Sequence, residues 1–143
     1  MNDSLRTLGL DVGNKRIGVA VCGAPGDFVF PVETIHRKNL NEDLSRIKDL
    51  ASEHQATAFV VGLPLNMDGT EGDQAAKVRT FAEKLSRETG LTVHFEDERL
   101  SSFTAIERLV ERGVKTGQNR DLIDMEAAVV ILESYVARHR DKG

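Results

Sequence analysis

The spacing of apolar residues changes along the chain in an order that few folds accommodate. Two β-rich runs separated by a glycine-containing turn lie within LRTLGLDVGNKRIGVAVC (5–22), and a third run, FVFPVETI (28–35), follows a second turn. Beyond these runs, stretches with apolar residues three and four positions apart alternate with short apolar runs, which is typical of helices alternating with strands. The predicted order is three strands, a helix, a strand, a helix, a strand and two helices.

This order predicts an α/β fold built on a mixed five-stranded sheet with helices on both faces. Right-handed crossovers after the antiparallel start favour the strand order 3-2-1-4-5, in which the first strand is central. Pro31 falls in the third strand, which this order places at an edge, where a missing N–H is tolerated. Sheets of this kind bind ligands at the carboxyl ends of their strands, so the site is expected where the first, fourth and fifth strands end.

The length and composition agree with one globular domain. The chain has 143 residues, 40% hydrophobic and 29% charged, which predicts a single domain over 1–143 with a flexible polar tail at 136–143. The lone Cys22 cannot form a disulfide within the chain, and no apolar run approaches the roughly 18–20 residues of a membrane span. No signal peptide is recognisable, so we expect a cytoplasmic protein with no membrane partner. The net charge of −4 argues against indiscriminate coating of nucleic acid.

Two acidic side chains stand at positions where a charge is unexpected. Asp11 ends the first strand, in the part of the sheet least able to solvate a carboxylate. Such a charge persists only with a hydrogen-bonded partner or a cation, so Asp11 either caps the turn at 13–15 or binds a metal. Asp124 heads the apolar stripe of the last helix, where it either binds a metal or interacts favourably with the helix dipole.

A third acidic cluster, residues 96–98, directly follows the fifth strand and so shares a sheet edge with Asp11. Either it is a solvated loop neutralised by a neighbouring arginine, or Asp97 or Glu98 converges with the other two acids on an all-oxygen pocket. Mg²⁺ and Mn²⁺ prefer that donor set, and the histidines lack the spacing of a zinc site. Two such ions would activate water and stabilise a leaving 3′-oxygen, so the pattern predicts a hydrolase that cuts phosphodiester bonds.

Several motifs resemble one known family along nearly the whole chain. GLDVGNKRIGVA (9–20) resembles the opening motif of the YqgF/RuvX family, whose members have a ribonuclease H-like fold. The later motifs follow in the family's order: VGLP (61–64), GT (69–70), DERLSS (97–102), and Asp124 ahead of AA (127–128) and IL (131–132). The resemblance implies a bacterial cytoplasmic nuclease, described as a processor of the 5′ end of pre-16S rRNA in ribosome biogenesis and as a candidate Holliday junction resolvase.

The resemblance also implies which residues carry the chemistry. By this likeness Asp11, Glu98 and Asp124 are the metal-binding catalytic carboxylates. Resolvases that share the fold take an acid from the fourth strand, whereas here that strand ends in VGLP. The substitute must come from the next strand, about 10 Å from the first, so the longer Glu98 is favoured over Asp97.

Basic residues near the acids are candidate substrate contacts. Lys15 and Arg16 follow the first strand and Arg99 follows the fifth, where each either clamps a backbone phosphate or is an ordinary surface base. Aromatic residues make up only 5% of the chain and Trp is absent, so binding by base stacking is disfavoured. Structured RNA or branched DNA, read by shape and phosphate position, fits better. A four-way junction has two-fold symmetry, which favours a homodimeric enzyme.

Two other functions remain open on the sequence alone. One is a catalytically silent nucleic-acid-binding module, because the same fold serves as one within larger proteins. The other is a fragment of a sugar or acetate kinase, because Asp11-Val12-Gly13 also resembles the phosphate loop of actin-like ATPases. Those enzymes close two such domains around a nucleotide, and 143 residues supply only one.

Overall fold

The computed structural model describes residues 6–23 and 28–140 of the chain. Within these ranges the elements are the strands β1 (Arg6–Val12), β2 (Arg16–Gly23), β3 (Val29–His36), β4 (Ala58–Leu63) and β5 (Thr92–Asp97), and the helices α1 (Leu40–Glu53), α2 (Asp73–Thr89), α3 (Ser101–Glu111) and α4 (Arg120–Arg140). A single 3₁₀ turn, Thr116–Gln118, precedes α4. None of the helices in the described part is long and apolar enough to cross a membrane.

The five strands form one mixed sheet in the order β3-β2-β1-β4-β5, which confirms the predicted topology. β2 pairs antiparallel with both β1 and β3, whereas β4 runs parallel to β1 and to β5. β3 is an edge strand, and its pairing with β2 shifts register between Val19 and Ala20, next to Pro31. An irregular edge is where a strand tolerates a residue without an N–H.

Helices cover both faces of the sheet, as the sequence predicts. Alternate residues of the central strand, among them Leu8 and Leu10, belong to a large core that also contains apolar residues of α1 and α2. The opposite face packs against α4, whose Ala128 and Leu132 approach so closely that a Cβ at Gly9 would lie 2.9 Å from Leu132 Cβ. α3 packs mainly against α4. The face that carries Asp11 is therefore covered by α4.

The predicted flexible tail at 136–143 is wrong for its first five residues, because α4 continues to Arg140. The guanidinium of Arg138 donates to the buried carboxylate of Glu96, with Nη2 to Oε1 at 2.7 Å. The His139 ring stacks on Tyr135 at a centroid distance of 3.9 Å. These contacts fix polar side chains that a composition argument assigns to solvent, while residues 141–143 lie outside the described part.

Candidate active site

The end of β1 brings two distant acids together because a glycine lies beside them. Asp11 pairs with Gly18 across the ladder between β1 and β2. A Cβ at Gly18 would overlap the backbone carbonyl of Asp124, so only glycine allows α4 to approach the sheet here. Asp124 thereby lies near enough to Asp11 for the two carboxylates to repel each other.

Glu98 reaches the same place from the loop after β5. Its backbone N–H donates to the carbonyl oxygen of Leu63 at 3.2 Å, which fixes the loop to the end of β4. A Cβ at Gly62 would lie 3.0 Å from Glu98 Oε1, so the bare backbone of β4 leaves the space that the carboxylate uses. The hydroxyl of Ser101, in the first turn of α3, donates to Glu98 Oε2 at 3.3 Å.

Asp11 and Glu98 form a hydrogen-bonded carboxyl pair. Loss of water around Asp11 and repulsion from Asp124 raise its pKa to about 6. Loss of water and the charge of Asp11 raise the pKa of Glu98 to about 8. Burial and mutual repulsion therefore disfavour simultaneous ionisation of the two carboxyl groups.

Asp124 is balanced by a cation instead. Arg16 Nε donates to Asp124 Oδ2 at 2.6 Å, and the side chains are 23% and 18% exposed. The sequence predicts both residues at the site, in separate roles, as phosphate contact and metal ligand. The structure joins them in one ion pair.

Asp97, the alternative third acid, lies outside the carboxyl pair. Its carboxylate pairs with Arg99 at 2.7 Å, and this partner lowers the pKa of Asp97. Arg99 Nη1 also donates to the carbonyl oxygen of Met67 at 3.0 Å, so this predicted phosphate contact connects the loop after β4 to the end of β5. Lys15 is exposed in the turn between β1 and β2.

Two open grooves lie near the acids, although neither is lined by Asp11, Glu98 or Asp124. The first, about 610 Å³, lies beside Glu98 and is lined in part by Arg99, Ser101 and Arg138. The second, about 510 Å³, lies beside the Arg16–Asp124 pair and is lined in part by His36 and Arg120. Both grooves are lined in part by basic side chains.

The donor set suits a hard divalent cation, although it is not closed around one. Carboxylates from β1, from the loop after β5 and from α4 supply oxygen ligands only, the chemistry that Mg²⁺ and Mn²⁺ select. In the described part of the chain no three acidic, His or Cys side chains are drawn together tightly enough to hold an ion. The contacts explain this, because Asp124 is held by Arg16 while Asp11 and Glu98 bond to each other.

The sequence reasoning missed the residues that assemble the site. Gly18 and Gly62 make the room for Asp124 and Glu98, and Ser101 bonds the Glu98 carboxylate. A signal for the two glycines was present, since glycine inside a predicted strand often marks the close approach of another backbone or a side chain. No comparable signal distinguishes Ser101.

The fold and the placement of its acids define a ribonuclease H-like nuclease, and the comparisons with known proteins agree. The chain superposes on Thermus thermophilus RuvC with a TM-score of 0.59 at 14% identity, covering 95% of this chain and 97% of that one. It superposes on the fowlpox virus Holliday junction resolvase with a TM-score of 0.60 at 12% identity, covering 94% and 99%. At these identities the likeness shows the fold alone.

The chain belongs to the RuvX family, described as Holliday junction resolvase, whose model matches residues 5–138. A relative from Myxococcus xanthus, named "Putative pre-16S rRNA nuclease", is 44% identical over 136 residues, covering 95% of this chain and 90% of the relative. A relative of the same name from Moorella thermoacetica is 43% identical over 139 residues, covering 97% and 99%. The resemblance found in the sequence is confirmed, and it places the chain among hydrolases that act on phosphodiester bonds.

Proposed function

We propose that the chain is a divalent-metal-dependent nuclease that hydrolyses phosphodiester bonds in structured nucleic acid. The observation that carries the proposal is the hydrogen-bonded pair of Asp11 and Glu98, with Asp124 beside it, at the carboxyl ends of the central strands. Keeping Asp11 and Glu98 so close disfavours the ionised forms of these two acids, a cost that folding alone does not require. A bound divalent cation removes that cost.

Asp11, Glu98 and Asp124 would hold Mg²⁺ or Mn²⁺, with two ions expected from the all-oxygen set. Bound there, the metal supplies Lewis-acid activation of water and stabilisation of the leaving 3′-oxygen. The protein's own part is to keep the carboxylates in place through Gly18, Gly62 and the Ser101 hydroxyl. Asp11 and Glu98, whose pKa values are raised, would lose bound protons on holding a cation.

Substrate contacts are assigned to Lys15, Arg16 and Arg99. Lys15 lies on an exposed turn beside the acids and binds a phosphate flanking the scissile bond. Arg99 borders the groove beside Glu98, where its pairing with Asp97 leaves it a weaker phosphate ligand. The two grooves accommodate the strand on either side of the bond to be cut.

The favoured substrate is the 5′ leader of pre-16S rRNA, by analogy with the relatives' name, and a four-way DNA junction is the second. Both are branched or folded, and both suit recognition by shape with few aromatic side chains. We also propose that the protein acts in the cytoplasm and forms a homodimer. Light scattering of the purified protein would test the homodimer.

Cleavage of both substrates, in Mg²⁺, Mn²⁺ or EDTA, tests the function. We expect cutting with either metal and none in EDTA, leaving a 5′-phosphate and a 3′-hydroxyl. Asp11→Asn, Glu98→Gln and Asp124→Asn should each abolish cutting with the circular dichroism spectrum unchanged, since each removes an oxygen ligand. Asp97→Asn is the matched control and should retain most of the activity, because Asp97 lies outside the carboxyl pair.

Two outcomes contradict the proposal. Cleavage that survives Asp11→Asn removes the assigned chemistry. Metal-independent binding of structured RNA without any cleavage identifies a silent binding module instead. Mn²⁺ calorimetry then measures the stoichiometry, expected to be two ions per chain.

A further inference from the structure

We propose that Arg16 takes the place of the metal at Asp124 in the metal-free protein, and that metal loading moves its guanidinium from this carboxylate to the substrate phosphate. This inference rests on the proposed function. The residues are 108 positions apart in sequence, and the docking of α4 on β2 brings them together. Their 2.6 Å contact is partly shielded from water, unlike an ordinary surface ion pair.

The arrangement of charges shows what the contact does. Asp11 and Glu98 bond to each other, so Asp124 is the acid of the three that has a cationic partner. Across residues 6–23 and 28–140, Arg16 is the only base in an ion pair with any of these three carboxylates. It therefore neutralises the position where a metal ligand is required.

Arg16 and a metal compete for the same carboxylate. A cation bound by Asp124 meets the positive guanidinium already on Oδ2, and two positive charges on one carboxylate repel each other. Removing Arg16 should therefore strengthen metal binding, although Arg16 is also a predicted substrate contact. A residue that only binds substrate has no such effect.

The two Nη groups of Arg16 indicate what its guanidinium can bind after it leaves Asp124. Its contact with Asp124 uses Nε, and the described residues provide no acceptor for either of its terminal Nη groups. Arg16 also lines the groove that contains Arg120. A guanidinium that leaves Asp124 thus remains beside the site with a full set of donors for a phosphate, which it binds in a bidentate manner.

Calorimetric titration with Mn²⁺ tests the competition. Arg16→Gln should bind Mn²⁺ about tenfold more tightly than the wild type, a difference of about one unit in log Kd. Lys15→Gln is the matched control, because it removes the same charge from the neighbouring residue, which forms no ion pair with the described acids. It should change the affinity by less than about twofold, through long-range electrostatics alone. Equal changes in the two variants, or weaker binding by Arg16→Gln, overturn the proposal.

Nuclear magnetic resonance follows the movement in the unmodified protein. The Nε–H signal of Arg16, assigned from its absence in Arg16→Lys, should shift as Mg²⁺ is added and saturate together with metal binding. A signal that stays unchanged while the metal binds shows that Arg16 remains on Asp124, which overturns this inference but leaves the proposed function standing. If neither the wild type nor Arg16→Gln binds a divalent ion, both proposals fail.

Discussion

At the scale of single residues, the molecule keeps acids where water is scarce. Burial and mutual repulsion raise the pKa values of Asp11 and Glu98, and Arg16 pairs with Asp124. The metal-free site is thus a set of negative groups, each compensated by something other than a metal. Such a site should respond strongly to pH.

We expect the metal-free protein to lose stability as the pH rises from 5 to 8. The folded pKa of Asp11 is raised from 3.8 to about 6, and that of Glu98 from 4.5 to about 8. An acid whose pKa is raised by folding binds its proton more tightly in the folded chain. Its contribution to stability is therefore complete below the unfolded pKa and is lost as the pH rises through the folded pKa. Urea denaturation in EDTA should show that the free energy of unfolding falls by more than about 1 kcal/mol between pH 5 and 8, because a shift of one pKa unit corresponds to about that free energy.

The same experiment on Asp11→Asn is the control. Without the second carboxylate, the pKa of Glu98 moves toward its ordinary value, and the decline between pH 5 and 8 should flatten. A wild-type protein whose stability is constant or rises over this interval contradicts the raised pKa values. Saturating Mg²⁺ should reverse the decline, because metal binding favours the ionised acids.

The sequence located these acids to different degrees. Asp11 could be predicted because a charge at the end of a buried strand is costly, and Asp124 because it heads an apolar helix stripe. The sequence favours Glu98 over Asp97 through the reach of the longer side chain, and the structure places Glu98 beside Asp11 while Asp97 pairs with Arg99. The Arg16–Asp124 pair could not be predicted at all, because it exists only once α4 has docked on the sheet.

At the scale of elements, α4 organises the site. It packs on all five strands and contributes Asp124, and it lies close to the sheet because Gly9 and Gly18 have no side chain. Strand order and helix placement followed from the apolar periods, since they depend on local patterns and general connection rules. The ordered polar end of α4 could not be predicted in this way. Contacts with Glu96 and Tyr135 hold its side chains, and a local sequence pattern does not reveal such contacts.

Gly18→Ala should separate α4 from β2. The new methyl group overlaps the Asp124 carbonyl, so the helix must shift, with an expected loss of about 2–3 kcal/mol in the free energy of unfolding. Displacement of Asp124 should reduce cleavage about a hundredfold in protein that remains folded. For stability, Gly117→Ala is the matched control, because a Cβ added at that position meets nothing within 4 Å and the free energy should stay nearly constant.

Arg138→Ala tests the end of the same helix. The substitution leaves the buried Glu96 carboxylate with Ser134, at 2.7 Å, as its remaining side-chain partner, so we expect a loss of about 1–3 kcal/mol in urea denaturation. Arg87→Ala serves as the control, since its 3.6 Å pair with Glu83 is exposed and worth well under about 1 kcal/mol. Equal effects would show that the end of α4 contributes no more than a surface ion pair.

At the scale of the whole molecule, a net charge of −4 means that attraction for nucleic acid must come from a local group of bases. The proposed contacts number three, Lys15, Arg16 and Arg99. Affinity for duplex substrates should therefore fall with salt at a log–log slope of about −2 to −3. Fluorescence anisotropy with the Asp11→Asn protein measures this without cleavage.

Lys15→Gln should reduce that slope by about one, since it removes one phosphate contact. Lys48→Gln, on an exposed position of α1, removes the same charge far from the acids in sequence and should leave the slope unchanged. Identical slopes in all three proteins would show that Lys15 does not contact phosphate.

The position of α4 at the end of the element order has a consequence for biosynthesis. Five strands and two of the three acids leave the ribosome before the helix that completes the cluster, and domains fold as their segments emerge. Under the proposed assignment, a chain without α4 lacks Asp124 and should therefore be unable to cut nucleic acid.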